Sequence, residues 1–176
     1  MDEDLVAVYT GKSLKNGMSK EGGSGHWIAR GNRVRQARYL LCVRNRRETW
    51  AETDFEHGTA FLIARISGTS KSPHNNRIVI NFSEYAEIDV ANAWHICTQG
   101  QRYPVAYLSA DKVQNDLGLD FASLIWKPFN PNAQLSTQTS KKSPMEIQKT
   151  AIQEAKAMLS DVLGVSEENI EITVRY

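Results

Sequence analysis

Apolar residues arrive along this chain in short runs broken by glycine and polar clusters, a rhythm that predicts strands more than long helices. Leu5-Val6-Ala7-Val8-Tyr9-Thr10 reads as a first strand, and the glycine-rich stretch from Gly11 to Gly25 as a flexible loop behind it. Asn32 is placed to cap a short helix through Arg38, because Val34, Ala37 and Leu41 fall at i, i+3 and i+7. Tyr39 to Val43 then reads as a strand. Ala60 to Ile66 and Arg77 to Phe82 form two more, joined by the turn-rich Ser70 to Asn76, and Tyr85 to Ile88 continues the second past a bulge. Tyr103 to Leu108 is a further strand with Pro104 near its start, and Ser109 caps a helix from Ala110 to Leu117 that stops at Gly118. Strands with small inserted helices, in no strict alternation, predict an α+β fold built on a compact β-barrel of five or six strands.

The pattern changes near the C-terminus. Asn130 to Lys142 is polar and reads as a linker. Ser143-Pro144-Met145-Glu146 carries an N-cap, an N1 proline and a capping-box glutamate ahead of an apolar face made by Ile147, Ala151, Ala155, Met158, Leu159 and Val162. Ile170 to Val174 alternates as an edge strand. The expected organisation is a domain over 1–129, a linker over 130–142 and a helix-strand appendage over 143–176. Such an appendage is too small to fold alone, so it is expected to dock on the domain or to make a homodimer with a second copy.

Charge adds what periodicity does not show. Seven arginines and no carboxylate lie between His26 and Arg47: Arg30, Arg33, Arg35, Arg38, Arg44, Arg46 and Arg47. Taking these seven from the 21 basic residues leaves fourteen against 20 acids, so a nearly neutral chain holds one strongly cationic block. Trp27, Tyr39 and Trp50 lie within or just beyond it, and arginine interleaved with aromatic rings suits phosphate contact beside base stacking. The expected partner is DNA or RNA. A basic face paired to the acidic remainder, or docked on an acidic protein partner, is the competing reading. No apolar run approaches the roughly 20 residues of a membrane span, and Met1-Asp2-Glu3-Asp4 lacks the start of a signal peptide, so a cytoplasmic protein without membrane contact is expected. Cys42 and Cys97 have no partners at metal-ligand spacing and read as buried free thiols.

The segment from Trp27 to Leu40 resembles the opening of the EVE domains of the PUA-like superfamily. Those domains carry a tryptophan, then Arg-Asn-Tyr-Gln-Ala-Arg and a bulky pair. Here Arg33 and Gln36-Ala37-Arg38-Tyr39-Leu40 keep that form, while Val34-Arg35 replaces Asn-Tyr and Trp27 stands two residues further away. Gly58 before a strand ending in Ala64-Arg65-Ile66, a strand opening Arg77-Ile78-Val79 and the late Tyr103-Pro104-Val105 extend the likeness over Gly25 to Phe129. The resemblance implies a PUA-like barrel whose helix and loops form a pocket for an extruded, often modified, base. It makes Trp27, Tyr39 and Trp50 candidates for an aromatic wall, Gln36 a group for a base edge, and the arginines clamps on flanking phosphates.

Catalytic chemistry is sparse. Glu52, Asp54 and Glu56 alternate, so a strand there would put three carboxylates on one face, fit for a metal-dependent nuclease. Beside Arg44, Arg46 and Arg47 they are better placed to pair with those cations. His57-Gly58-Thr59 has the His-x-Thr form of two-histidine phosphoesterases but no second copy. The residues thus predict a binding module without catalytic residues, metal or cofactor. An ASCH-like nucleotide hydrolase or a metal-dependent nuclease is the alternative.

Overall fold

In a computed structural model the described residues are 3–131. The expected appendage over 143–176 and all but the first residues of the expected linker lie outside them. Seven strands, β1 (Leu5–Thr10), β2 (Ser24–Trp27), β3 (Tyr39–Arg44), β4 (Ala60–Lys71), β5 (Ile78–Val90), β6 (Val105–Leu108) and the two-residue β7 (Lys127–Pro128), form one mixed sheet. Four short helices accompany them: α1 (Ser19–Glu21), α2 (Gly31–Gln36), α3 (Ala93–Thr98) and α4 (Ala110–Leu117). The result is an α+β domain whose sheet curls into a half-barrel.

Strand order is β2-β5-β4-β3-β1-β6, with β7 on β5; every pair is antiparallel except β1 with β3. The central strands are covered on both faces, which explains why they appear in the sequence as unbroken apolar runs. Leu5, Ala7, Leu41 and Val43 pack towards α3 and α4, with Trp94, Val113 and Phe121. Their neighbours Val6, Val8, Leu40 and Cys42 face the other core, with Met18, Trp27, Val34 and Phe82. The long β4–β5 hairpin curls because its register shifts at several points, between Arg65 and Ile66 among others, and each bulge strengthens the local twist.

Helix α4 follows the sequence rule: the Ser109 side chain accepts the Lys112 N–H, and Gly118 ends it at φ 65°. Helix α2 is shorter than expected. It begins at Gly31 after Arg30 and Asn32 is not its cap, because the chain has already turned extended at Ala37 to enter β3. The stretch from Gly11 to Gly25 is not a plain loop either. Ser13 caps a single π-helical turn over Leu14–Met18, α1 follows, and β2 pairs with β5. A Cβ at Gly23 would lie 2.3 Å from the Ile80 carbonyl oxygen, so this glycine serves close backbone approach rather than mobility.

Both cysteines are free and buried, as expected. Burial pushes the Cys42 thiol up to about 12 and that of Cys97 up to about 11, so neither is a thiolate at neutral pH. Among the described residues no helix is long and apolar enough to cross a membrane.

Candidate nucleic-acid interface

The arginine block divides by depth. Arg44 sits on the same parity of β3 as Leu40 and Cys42, so its side chain points into the half-barrel and is fully buried. There it donates to the carbonyls of Thr10 and Lys12 at 3.2 and 3.0 Å. Its Nε and Nη2 face the two Asp54 carboxylate oxygens at 2.9 and 3.0 Å, and its plane lies 4.2 Å over Phe61. Expected as a nucleic-acid contact, Arg44 is instead a buried clasp that ties the end of β1 to the loop after β3.

Two more members are neutralised locally. Arg33 pairs with Glu3 and lies 4.0 Å over Tyr107, and Arg46 pairs with Glu56 at 3.1 Å. Arg35 donates to Thr69 and Asn32 from the outer side of α2. Arg38 stacks on Tyr39. Arg30, Arg38 and Arg47 are exposed, and none has an ion-pair partner among the described residues.

The aromatic candidates also separate. Tyr39 packs on Phe121 at 5.0 Å and beside Trp126, on the α4 side of the sheet, because it starts β3 on the opposite parity from Leu40. It belongs to a core, not to a binding wall. Trp27 and Trp50, by contrast, converge on one cleft of about 590 Å³, although 22 residues, with a helix and a strand, lie between them. Trp27 is held rigidly: it is buried in the half-barrel core, and its Nε1 donates to the Ser24 hydroxyl at 3.1 Å. Trp50 is 62 % exposed and rests the Cζ3–Cη2 edge of its ring on Gly11, where a Cβ would lie 2.8 Å from Cζ3. Gln36 does not join them; it is exposed on α2, beside Arg33 and Arg35.

Several cleft residues had no sequence signal: Lys12, His26, Asn45, Glu48, His74 and Arg77 complete the walls. Four of them, Lys12, His26, His74 and Arg77, form a connected polar edge. Lys12 pairs with Glu21, and His26 Nε2 faces the same carboxylate at 3.3 Å. His26 Nδ1 meets the Ser72 hydroxyl at 2.7 Å, which the Nε2–H tautomer satisfies by accepting from Ser72 and donating to Glu21. His74 stands edge-on to His26 at 4.8 Å, and Arg77 donates to the His26 carbonyl at 2.9 Å. The Ser72–His26–Glu21 line has the order of a hydrolytic triad, but Ser72 is not on the cleft wall and its oxygen already accepts the His74 N–H.

At the opposite end Tyr9 stacks on Trp94 at 4.6 Å and meets His57 Nε2 at 2.6 Å, while His57 Nδ1 accepts the Arg46 N–H at 3.1 Å. Burial, with Arg47 and Arg46 nearby, holds His57 below its ordinary value of 6.5, and burial raises the Tyr9 phenol. The folded chain therefore binds the His57 proton less readily than the unfolded chain. Stability from this site is fully present above pH 6.5 and is lost as pH falls through the lowered folded value. Urea midpoints measured on either side of pH 6.5 should show that decline, and His57→Gln should flatten it.

The carboxylates Glu52, Asp54 and Glu56 lie in the loop after β3, not on a strand, and turn to different partners: Asn16, Arg44 and Arg46. Among the described residues no three His, Cys, Asp or Glu side chains are grouped to hold a metal ion. The chain matches no family model, no curated protein and no solved structure.

Proposed function

We propose that this domain is a nucleic-acid-binding module that holds one base, extruded or already unpaired, in the cleft between Trp27 and Trp50. The observation that carries this reading is the convergence of a fixed tryptophan and an exposed one on a single cleft rimmed by Lys12 and Arg77. An aromatic wall accepts any base face, while the amide of Asn45, the carboxylate of Glu48 and the imidazoles of His26 and His74 offer donors and acceptors to a base edge. A modified base is a suitable ligand for such a walled site, because weakened pairing lowers the cost of extraction. The curled sheet with a helix and loops at its mouth is compatible with the PUA-like, EVE-type architecture that Arg33 and Gln36-Ala37-Arg38 suggest. The exposed Gln36, at the end of α2, and Arg38, just beyond it, would contact phosphates rather than a base.

Salt dependence tests the reading. Affinity for labelled single strands should fall linearly on a log–log plot against salt, and survive chelators, as counterion release requires. Replacing Arg30 and Arg77 together by alanine should flatten the slope by about 1.4 units if each meets one phosphate of a single strand. An affinity indifferent to salt would remove the arginines from the interface.

A further inference from the structure

The outer strands of the half-barrel, β2 and β6, are not joined by backbone hydrogen bonds, and the seam between them is open. It forms a groove of about 810 Å³ that shares Trp27, Arg77 and Pro104 with the tryptophan cleft, so the two hollows adjoin through the Trp27 ring. Ile28 and Tyr103 stand on its walls at 71 % and 75 % exposure, unusual because most other large apolar side chains among the described residues are covered. Its charge is one-sided: among the described residues Arg30 and Arg77 line it and no carboxylate does. The Arg30 backbone N–H is fixed by the Tyr107 hydroxyl at 3.2 Å, which sets the root of that side chain, while its guanidinium has no partner among the described residues. Arg77 uses one N–H on the His26 carbonyl at 2.9 Å and retains the rest of its fork.

An apolar seam would suit a peptide, but a peptide gains nothing from two unpaired arginines unless it is acidic. A single nucleic-acid strand uses both features at once. We propose, building on the cleft reading above, that the seam holds the nucleotide next to the one whose base enters the cleft: the Tyr103 ring stacks on the second base, and Arg30 and Arg77 pair with phosphates of the step. The site then reads a dinucleotide step of a single strand, since both bases must leave a duplex to lie on either side of Trp27.

The test uses the full chain with labelled random-sequence 10-nucleotide DNA and RNA single strands and their duplexes. Single strands should bind at least about tenfold tighter than duplexes, and Tyr103→Ala should weaken single-strand binding by about 5- to 150-fold, as expected for one lost base stack. Tyr103 is too exposed for its removal to disturb folding, and an unchanged melting temperature checks this. Undiminished binding by Tyr103→Ala, while Trp50→Ala is impaired, overturns the second subsite and leaves the cleft reading intact. Equal affinity for single strands and duplexes also overturns it. Absence of binding to any strand, or a Trp50→Ala protein as tight as wild type, overturns both. The DNA and RNA arms separate the two sources of the strand.

Discussion

Arg44→Ala should cost the domain about 3–5 kcal/mol, the range for removing one partner of a buried ion pair together with its packed volume. The side chain is fully buried, and its loss leaves the carbonyl of Lys12 and the Asp54 carboxylate without their principal donor. It also empties the space over Phe61. Asp54 is 37 % exposed, so the carboxylate left by Arg44→Ala can recruit water, whereas Asp54→Ala leaves the buried Arg44 guanidinium without its counterion and should also destabilise clearly more than a surface substitution. Arg35→Ala, on the outer side of α2, supplies the contrast and should stay within about 0.5 kcal/mol of wild type. Urea unfolding of the three variants orders them. An Arg44→Ala protein as stable as Arg35→Ala would mean that the clasp is not formed.

How far this arrangement was legible depends on which physical signal each element leaves. The unbroken runs of β1 and β3 are visible because strands covered on both faces need apolar residues at every position, and the cap and stop of α4 are visible because Ser109 and Gly118 meet local backbone needs. Strand β2 was hidden. Ser24-Gly25-His26-Trp27 holds one large apolar residue, and Gly23 looks like flexibility in sequence although it is there for contact with Ile80. Arg44 had a signal that charge obscured: it shares the parity of Leu40 and Cys42, and Asp54 follows ten residues on, but an arginine among arginines reads as surface. The cleft was half legible. Trp27 and Trp50 stood out beside the arginines, whereas Lys12, His74 and Arg77 reach it only because β1, β2 and the turn before β5 end at the same rim, which no local pattern encodes.

Trp50→Ala is expected to separate folding from binding. The ring is 62 % exposed and packs mainly on the Gly11 backbone, so its removal should leave stability nearly unchanged while weakening nucleic-acid binding by about 1–3 kcal/mol, the worth of one base stack. Trp27→Ala would be a poorer probe, since Trp27 also fills the half-barrel core and its loss would confound the two effects. Because Lys12 and Arg77 stay in place, the salt slope should be the same in wild type and Trp50→Ala, with affinity shifted uniformly.

The most direct measurement is therefore a titration of labelled single strands with wild-type and Trp50→Ala protein across a salt series. Two parallel lines on the log–log plot, displaced by about 1–3 kcal/mol, are the predicted result. Coincident lines, or no binding by the wild-type protein at low salt, would contradict the claim that the tryptophan cleft holds a base.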